Sequence, residues 1–239
     1  METIDIQTDD RGVATLTLAR PEKHNALPAQ MIVRVVVLTG DGRSFCAGGD
    51  LGWMQEQMRA DAATRGAEAR KLAGMLGALD RMPKPLIGRV QGQAFGGGVG
   101  MMSVCDVAVG VDSARFGLTE TRLGLIPATI GPYVVARMGA ARARRVFGAE
   151  EAVALGLLAR AVPEADLDAA VEAEVAPYLN CAPGAVAAAK TLVARLEPRV
   201  DAATIDMTIE ALVAAWESDE AREGVAAFFD KRKAAWMPD

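Results

Sequence analysis

Histidine is nearly absent from this chain of 239 residues: His24 is the only one. A Ser–His–Asp triad would have to pass through it, and an HExxH zinc site, which needs two histidines, is excluded. Cysteine is scarce and scattered. Cys46, Cys105 and Cys181 form no CxxC pair and no Cys/His metal pattern. An odd count at wide spacing argues against a disulfide framework and for a reducing, cytoplasmic setting. Aromatic residues make up 5% of the chain, so its core must be built from small aliphatic side chains packed closely. There is no run of roughly 18 uncharged apolar residues, so no membrane-spanning helix is expected. The segment METIDIQTDDRG is polar and acidic, unlike a secretory leader. Also missing are a GxxxxGK[ST] phosphate loop, a GxSxG nucleophile elbow and a GxGxxG dinucleotide fingerprint in register. The net charge of −5 argues against nucleic acid as a partner. The densest basic cluster, Arg142, Arg144 and Arg145, reads as a solvated helix face.

What is present is half hydrophobic and long enough for one large domain, or a core with a small appendage. Residues 4–8 and 13–18 alternate apolar and polar side chains about a turn at 9–12, which predicts a hairpin. Residues 33–39 are β-branched and nearly continuous, like a buried parallel strand, and 85–90 and 107–111 are further strands. The spacing predicts a helix over 61–81 with Leu72, Met75, Leu76 and Leu79 on its apolar face, and a short apolar helix over 98–104. Strands alternating with helices imply an α/β fold built of βαβ units. Beyond Pro183 strand signals stop, and 185–196, 202–217 and 220–233 read as helices. Only residues 19–32, with Pro21 and Pro28 among them, connect two strands that should be parallel. Such crossovers usually take a dozen residues or more and a full helix, so the chain reads as shortened after Ile32. Phe147–Gly148 is a second abrupt join.

Two glycine-rich loops each follow a strand. Gly96, Gly97 and Gly98 come after the strand at 85–90 and open a helix; Ser44-Phe45-Cys46-Ala47-Gly48-Gly49-Asp50-Leu51 comes after the strand at 33–39. Taken singly they could be a tight helix–strand packing and a turn with Asp50 capping the next helix. Taken together they can present two converging backbone N–H groups, an oxyanion hole, with the positive end of a helix behind one of them. Glu120 follows in an apolar, turn-rich context and is a candidate acid or base, or else a turn carboxylate paired with Arg122. Cys46 has no evident charged partner to activate it as a nucleophile. Trp53, Met54 and Met58 read either as core or as the lining of a substrate pocket.

Four ordered segments, LARPEKHNAL, SFCAGGDL, GQAFGGGVGMMSVCDVAV and ARFGLTETRLGLIP, resemble the crotonase family, the enoyl-CoA hydratase/isomerase superfamily. The resemblance implies an α/β crotonase-like superhelix of repeated ββα units. It implies a core over 1–182 that binds and transforms a CoA thioester, and a helical region over 183–239 that builds trimers, often paired into hexamers. Cys46 and Gly97 would supply the oxyanion-hole N–H groups, and Gly96 would belong to the substrate and CoA site. Lys23, His24, Ala26, Ala47, Gly48, Gly49, Asp50, Leu51 and Thr119 would line the substrate and CoA site. Phe228 and Lys231 would reach a neighbour's CoA. No tightly bound cofactor and no metal are implied; coenzyme A enters as part of the substrate. A relative in the family is reported to bind RNA, but the acidic charge of this chain speaks against that role for its basic cluster.

The catalytic carboxylates depart from the usual pattern. Well-known hydratases carry two glutamates; here the second is Glu120 and the position of the first is Gly100. The form Pro127-Ala128-Thr129-Ile130, together with GGGVGMMSVCD, is similar to bacterial methylglutaconyl-CoA hydratases. The expectation is therefore a lyase adding water to a short or branched 2-enoyl-CoA in fatty-acid or branched-chain catabolism, with Glu120 as acid and base. An enoyl-CoA isomerase and a non-catalytic CoA-thioester binding protein are the alternatives.

Overall fold

The computed structural model describes residues 4–11, 13–18, 33–141, 146–196 and 200–236. Lys23, His24 and Ala26, the join after Ile32, and the basic cluster of Arg142, Arg144 and Arg145 lie outside the described residues.

The expected hairpin forms. β1 (Ile4–Thr8) and β2 (Val13–Leu18) run antiparallel with Ile4 opposite Leu18. Asp9 closes the turn by accepting hydrogen bonds from the N–H groups of Arg11 and Val13, both at 3.0 Å. β2 then pairs in parallel with β3 (Val35–Gly40), which starts two residues later than the apolar run.

From β3 onward one pattern repeats. A long strand is followed by a short strand and then by helix. β3 leads to β4 (Ser44–Cys46), then α1 (Leu51–Arg59) and α2 (Ala62–Asp80). β5 (Leu86–Val90) leads to β6 (Gln93–Phe95) and α3 (Gly97–Ser103). β7 (Val107–Val111) leads to β8 (Arg115–Gly117), a 3-10 turn at Glu120–Leu123, and α4 (Gly131–Met138). The chain continues through β9 (Phe147–Gly148), α5 (Ala149–Ala154), β10 (Arg160–Val162) and α6 (Leu167–Leu179). At the second abrupt join, then, the backbone runs on as strand.

The long strands make a six-stranded sheet in the order β1-β2-β3-β5-β7-β10, parallel from β2 onward. The short ones make a second sheet, β4-β6-β8-β9, which the sequence reading missed. Strands of two or three residues are too short for alternation to register. Leu86 and Ile87 point to opposite faces of β5 and both are fully buried. The long sheet is therefore covered on both sides, which is why its parallel strands read as unbroken apolar runs. α6 lies over β5 and β7. Val99, Met102, Phe116, Ile130 and Leu167 belong to the same core.

α2 corrects one expectation. Its ends are as read, with the Asp61 side chain accepting from Thr64 N at 2.8 Å. Its buried stripe is Gly66, Ala69, Ala73, Leu76 and Gly77: Leu76 is buried as read, Leu72 and Leu79 are half-buried, and Met75 is 40% exposed. Ala69 and Ala73 pack against Ile209 of α8 (Ala202–Trp216), and close contact between two helices selects small residues. α7 (Pro183–Leu196) precedes α8, and α9 (Asp219–Phe229) follows it. α9 stops four residues short of the predicted end because Lys231 adopts φ +53. The N–H groups of Arg232 and Lys231 bond back to the carbonyls of Ala227 and Phe228, closing the helix in a left-handed cap. Among the described residues no helix is long and apolar enough to cross a membrane.

Candidate active site

β4, β6 and β8 run parallel as neighbours, so their C-terminal ends deliver three loops to one edge of the second sheet. β4 ends at Cys46 and continues through Ala47, Gly48 and Gly49 to Asp50. β6 ends at Phe95 and turns through Gly96 into α3. β8 ends at Gly117 and passes through Leu118 and Thr119 to Glu120. Ligand sites in parallel α/β sheets form at such edges.

Gly96 is the hinge of the group. Its φ of +52 and ψ of −117 lie where side chains are strongly disfavoured, and its N–H donates to Gly117 O at 3.1 Å, tying the second loop to the third strand. A Cβ on Gly96 would stand 3.0 Å from Glu120 Oε1 and 3.8 Å from Gly48 Cα. The Glu120 carboxyl thus rests on bare glycine backbone. A Cβ on Gly98 would come within 2.6 Å of the Cys46 carbonyl oxygen, so the end of β4 lies directly against the first turn of α3. A Cβ on Gly97 would meet nothing within 4 Å. Gly97 therefore faces open space, and its N–H, in the first turn of α3, has no intrahelical acceptor.

Glu120 is half-buried, and its Oε2 is sealed from solvent with no hydrogen-bond partner. The Arg122 pairing does not form among the described residues. Burial pushes the carboxyl above the ordinary carboxylate range; backbone N–H bonds from Glu120 and Thr119 offset this only in part. Burial likewise pushes the Cys46 thiol up, which keeps it protonated, and Sγ lies 3.9 Å from Gly48 O. Cys46 is therefore no thiolate nucleophile; what it can offer is its main chain.

The remaining candidates are placed as follows among the described residues. Ala47 and Gly49 are exposed, Leu51 is exposed, and Thr119 is half-buried just before the 3-10 turn. The Asp50 carboxylate accepts from Trp53 N at 2.8 Å and so caps α1. Trp53 and Met54 lie beside Gly49, with Met54 buried, while Met58 is exposed. Phe228 and Lys231 are exposed at the far end of α9. Three contacts were not foreseen: Gly98 and Ile130 were named only within motifs, and Gly224 not at all. Gly98 permits the contact with Cys46. Ile130 fills the space beside Gly100, its Cγ2 2.5 Å from where a Cβ would be. Gly224 meets the turn that carries Glu120. Only the departure at Gly100 signalled, within the sequence, that something else must occupy that place.

Backbone donors beside a half-buried carboxyl, one of whose oxygens is sealed without a partner, make an arrangement that can hold an oxyanion and move a proton, here on a stacked ββα frame. The chain belongs to the enoyl-CoA hydratase/isomerase family, whose model matches residues 8–238. It has the crotonase fold. An enoyl-CoA hydratase of Mycobacterium avium superposes with a TM-score of 0.81 at 30% identity, covering 99% of this chain and all of that one. A mevalonyl-coenzyme A hydratase of Aspergillus fumigatus is 33% identical over 255 residues, covering 95% of this chain and 92% of its own. That aligned stretch is longer than the whole chain, so the fungal protein carries segments this chain lacks. An enoyl-CoA hydratase of Alternaria alternata is 40% identical over 148 residues, 56% of this chain and 48% of its own; the chain spans about half the length of that relative.

Proposed function

We propose that the chain is an enoyl-CoA hydratase acting on a short or branched, methylglutaconyl-type 2-enoyl-CoA. The observation that carries this reading is the Glu120 carboxyl, buried without a partner at Oε2 and resting on Gly96 next to the open Gly97 backbone. The N–H groups of Cys46 and Gly97 hold the thioester oxygen. As a water attacks the β-carbon, Glu120 takes one of its protons, and the C=C electrons move onto the thioester as an enolate. Glu120 then returns that proton to the α-carbon and is regenerated as the carboxylate. One carboxylate performs both transfers, so both new bonds form on the face of the substrate that Glu120 meets. Loss of an oxyanion donor typically costs about 3–4 kcal/mol of transition-state stabilisation.

The branched acyl preference is supported by the Pro127–Ile130 form of the fourth motif and by a relative named for mevalonyl-CoA. Lys23, His24, Ala26, Ala47, Gly48, Gly49, Leu51 and Thr119 line the CoA and acyl site in this reading, and Phe228 and Lys231 serve a neighbour's CoA. The assembly is a homotrimer or a dimer of trimers. Exposed Leu192 and Val193 on α7 and Met207 on α8 provide apolar surface for it. The test is incubation with crotonyl-CoA and 3-methylglutaconyl-CoA, following loss of the conjugated-enoyl absorbance. Turnover at roughly 1–1000 per second is expected. Inertness toward both, with conversion of a 3-enoyl-CoA to its 2-isomer, overturns hydration in favour of isomerisation. If Glu120→Gln left turnover unchanged, the assignment of the carboxylate would fail.

A further inference from the structure

The turn that carries Glu120 is not anchored in the main core. Leu125 is buried with Trp216, Ala221 and Val225, and Leu123 packs against the same group. This is a separate cluster built by α8 and α9. Within the turn, Leu125 N donates to Glu120 O at 3.1 Å and Gly124 N to Thr121 O at 3.3 Å. The backbone of Glu120 is thus bonded to the residues that are fixed to α9.

The contact with α9 is backbone to backbone, and each side uses a glycine. A Cβ on Gly124, whose φ is +70, would stand 2.4 Å from the carbonyl carbon and oxygen of Glu220 and 2.5 Å from Ala221 N. A Cβ on Gly224 would stand 2.5 Å from the Leu123 carbonyl carbon and 2.7 Å from its oxygen. Neither backbone can shift toward the other, and neither glycine can carry a side chain without forcing them apart. On the opposite side the Glu120 carboxyl abuts Gly96. The residue is held between the α3 entry and the last helix of its own chain. α9 is itself fixed at that end, where Ser218 Oγ accepts from Ala221 N at 3.1 Å.

We propose that α9 is a positioning element of the active site, with Gly124 and Gly224 as positioning residues that set where the Glu120 carboxyl sits. This rests on the reading of Glu120 as the acid–base group. It gives the C-terminal helical region a role inside each subunit, apart from assembly.

The test is Gly224→Ala in the full chain. The added methyl must push the Leu123–Gly124 backbone away and carry Glu120 with it. A displacement near 1 Å can cost about 100-fold in rate. The expected result is a kcat reduced by about that factor, with KM changed far less. The acid limb of the pH–rate profile should move down toward the ordinary carboxylate range as Glu120 loses burial. The Glu120 carboxyl carbon resonance, assigned by its disappearance in Glu120→Gln, should titrate at correspondingly lower pH. Gly74→Ala on α2, where a Cβ meets nothing within 4 Å, is the control for helical Gly→Ala changes and should match the wild type. Val225→Ala loosens the same cluster without a clash and decides the matter if Gly224→Ala does not fold. A folded variant with wild-type kcat, pH profile and Glu120 titration overturns the proposal, even where Glu120→Gln is inactive. An active Glu120→Gln instead overturns the catalytic reading, and the carboxyl titration still judges the clamp.

Discussion

Ile130 occupies the space that a side chain on Gly100 would need: its Cγ2 lies 2.5 Å, and its Cβ 2.9 Å, from where a Cβ would be. Ile130 is itself 2% exposed. The space beside Gly100, the position that the resemblance matches to a first glutamate, is therefore filled here by a branched aliphatic side chain.

Restoring the glutamate alone should consequently fail. Gly100→Glu adds volume against Ile130 and brings a charge among apolar neighbours, so it should destabilise the fold by about 1–3 kcal/mol or more. Combining it with Ile130→Ala should recover part of that loss. Denaturant unfolding of the two variants checks this; an unchanged midpoint for the single variant would contradict the packing argument.

Glu120→Gln should separate activity from stability. Hydration should fall roughly 100- to 10,000-fold with the loss of the acid–base group. Near neutral pH the protein should become more stable by about 1 kcal/mol, or roughly 2–4 °C in Tm, because a buried ionised group has been replaced by a neutral one. A melting curve with no gain would mean that the wild-type carboxyl is better solvated than its unpartnered Oε2 indicates.

The pH dependence has a defined sign. Burial raises the Glu120 carboxyl, so the folded protein binds this proton more tightly than the unfolded chain. The stability contributed by this group is greatest at low pH and falls as pH rises from the ordinary carboxylate range through the folded value. Activity runs the other way. The carboxylate must be ionised to take a proton from water, so kcat/KM should drop on the acid side, with its limb above the usual range of about 4.3 for a glutamate. An acid limb at the ordinary value would remove desolvation as the controlling cause.

Cys46→Ala should leave hydration within a few-fold of the wild type. The thiol is held protonated by burial, and in the proposed reading the position contributes its N–H. Gly98→Ala should be far more damaging, because its Cβ would meet the Cys46 carbonyl at 2.6 Å and disturb that same N–H. Steady-state kinetics on the pair distinguishes a backbone role from a thiol role; the reverse order of damage would reassign Cys46.

Gly96→Ala tests the floor beneath the carboxyl. The left-handed backbone at Gly96 should cost about 1–3 kcal/mol with a side chain present. The methyl would also sit 3.0 Å from Glu120 Oε1. Loss of activity beyond the loss of stability is expected, read from kcat at a temperature where the variant is still folded.

The strand ends that carry the candidate residues were legible because they are written locally. Cys46, Gly97 and Glu120 each follow a strand end, and their motifs are contiguous in the chain. The long strands were legible because burial on both faces makes them apolar throughout. The second sheet was not, since β4, β6 and β8 have only three residues each. The face of α2 was read only in part: Leu76 is in the core and Leu79 packs against it, but the contact with α8 is made through Ala69 and Ala73, which large apolar residues overshadowed in the sequence. The contacts of Gly100 with Ile130, and of Gly224 with Leu123, join residues 30 and about 100 positions apart. Gly100 stands out in the sequence only as a departure and Gly224 not at all; the packing reason for each lies across the fold.

The parallel order of β4, β6 and β8 has a last consequence. Cys46, Gly97 and Glu120 come from three successive units, and the short strands of neighbouring units stand side by side at an interval of about 4.8 Å. That interval is a property of backbone hydrogen bonding and is indifferent to how much chain intervenes. Connections between units can thus vary in length while the three strand ends keep their spacing.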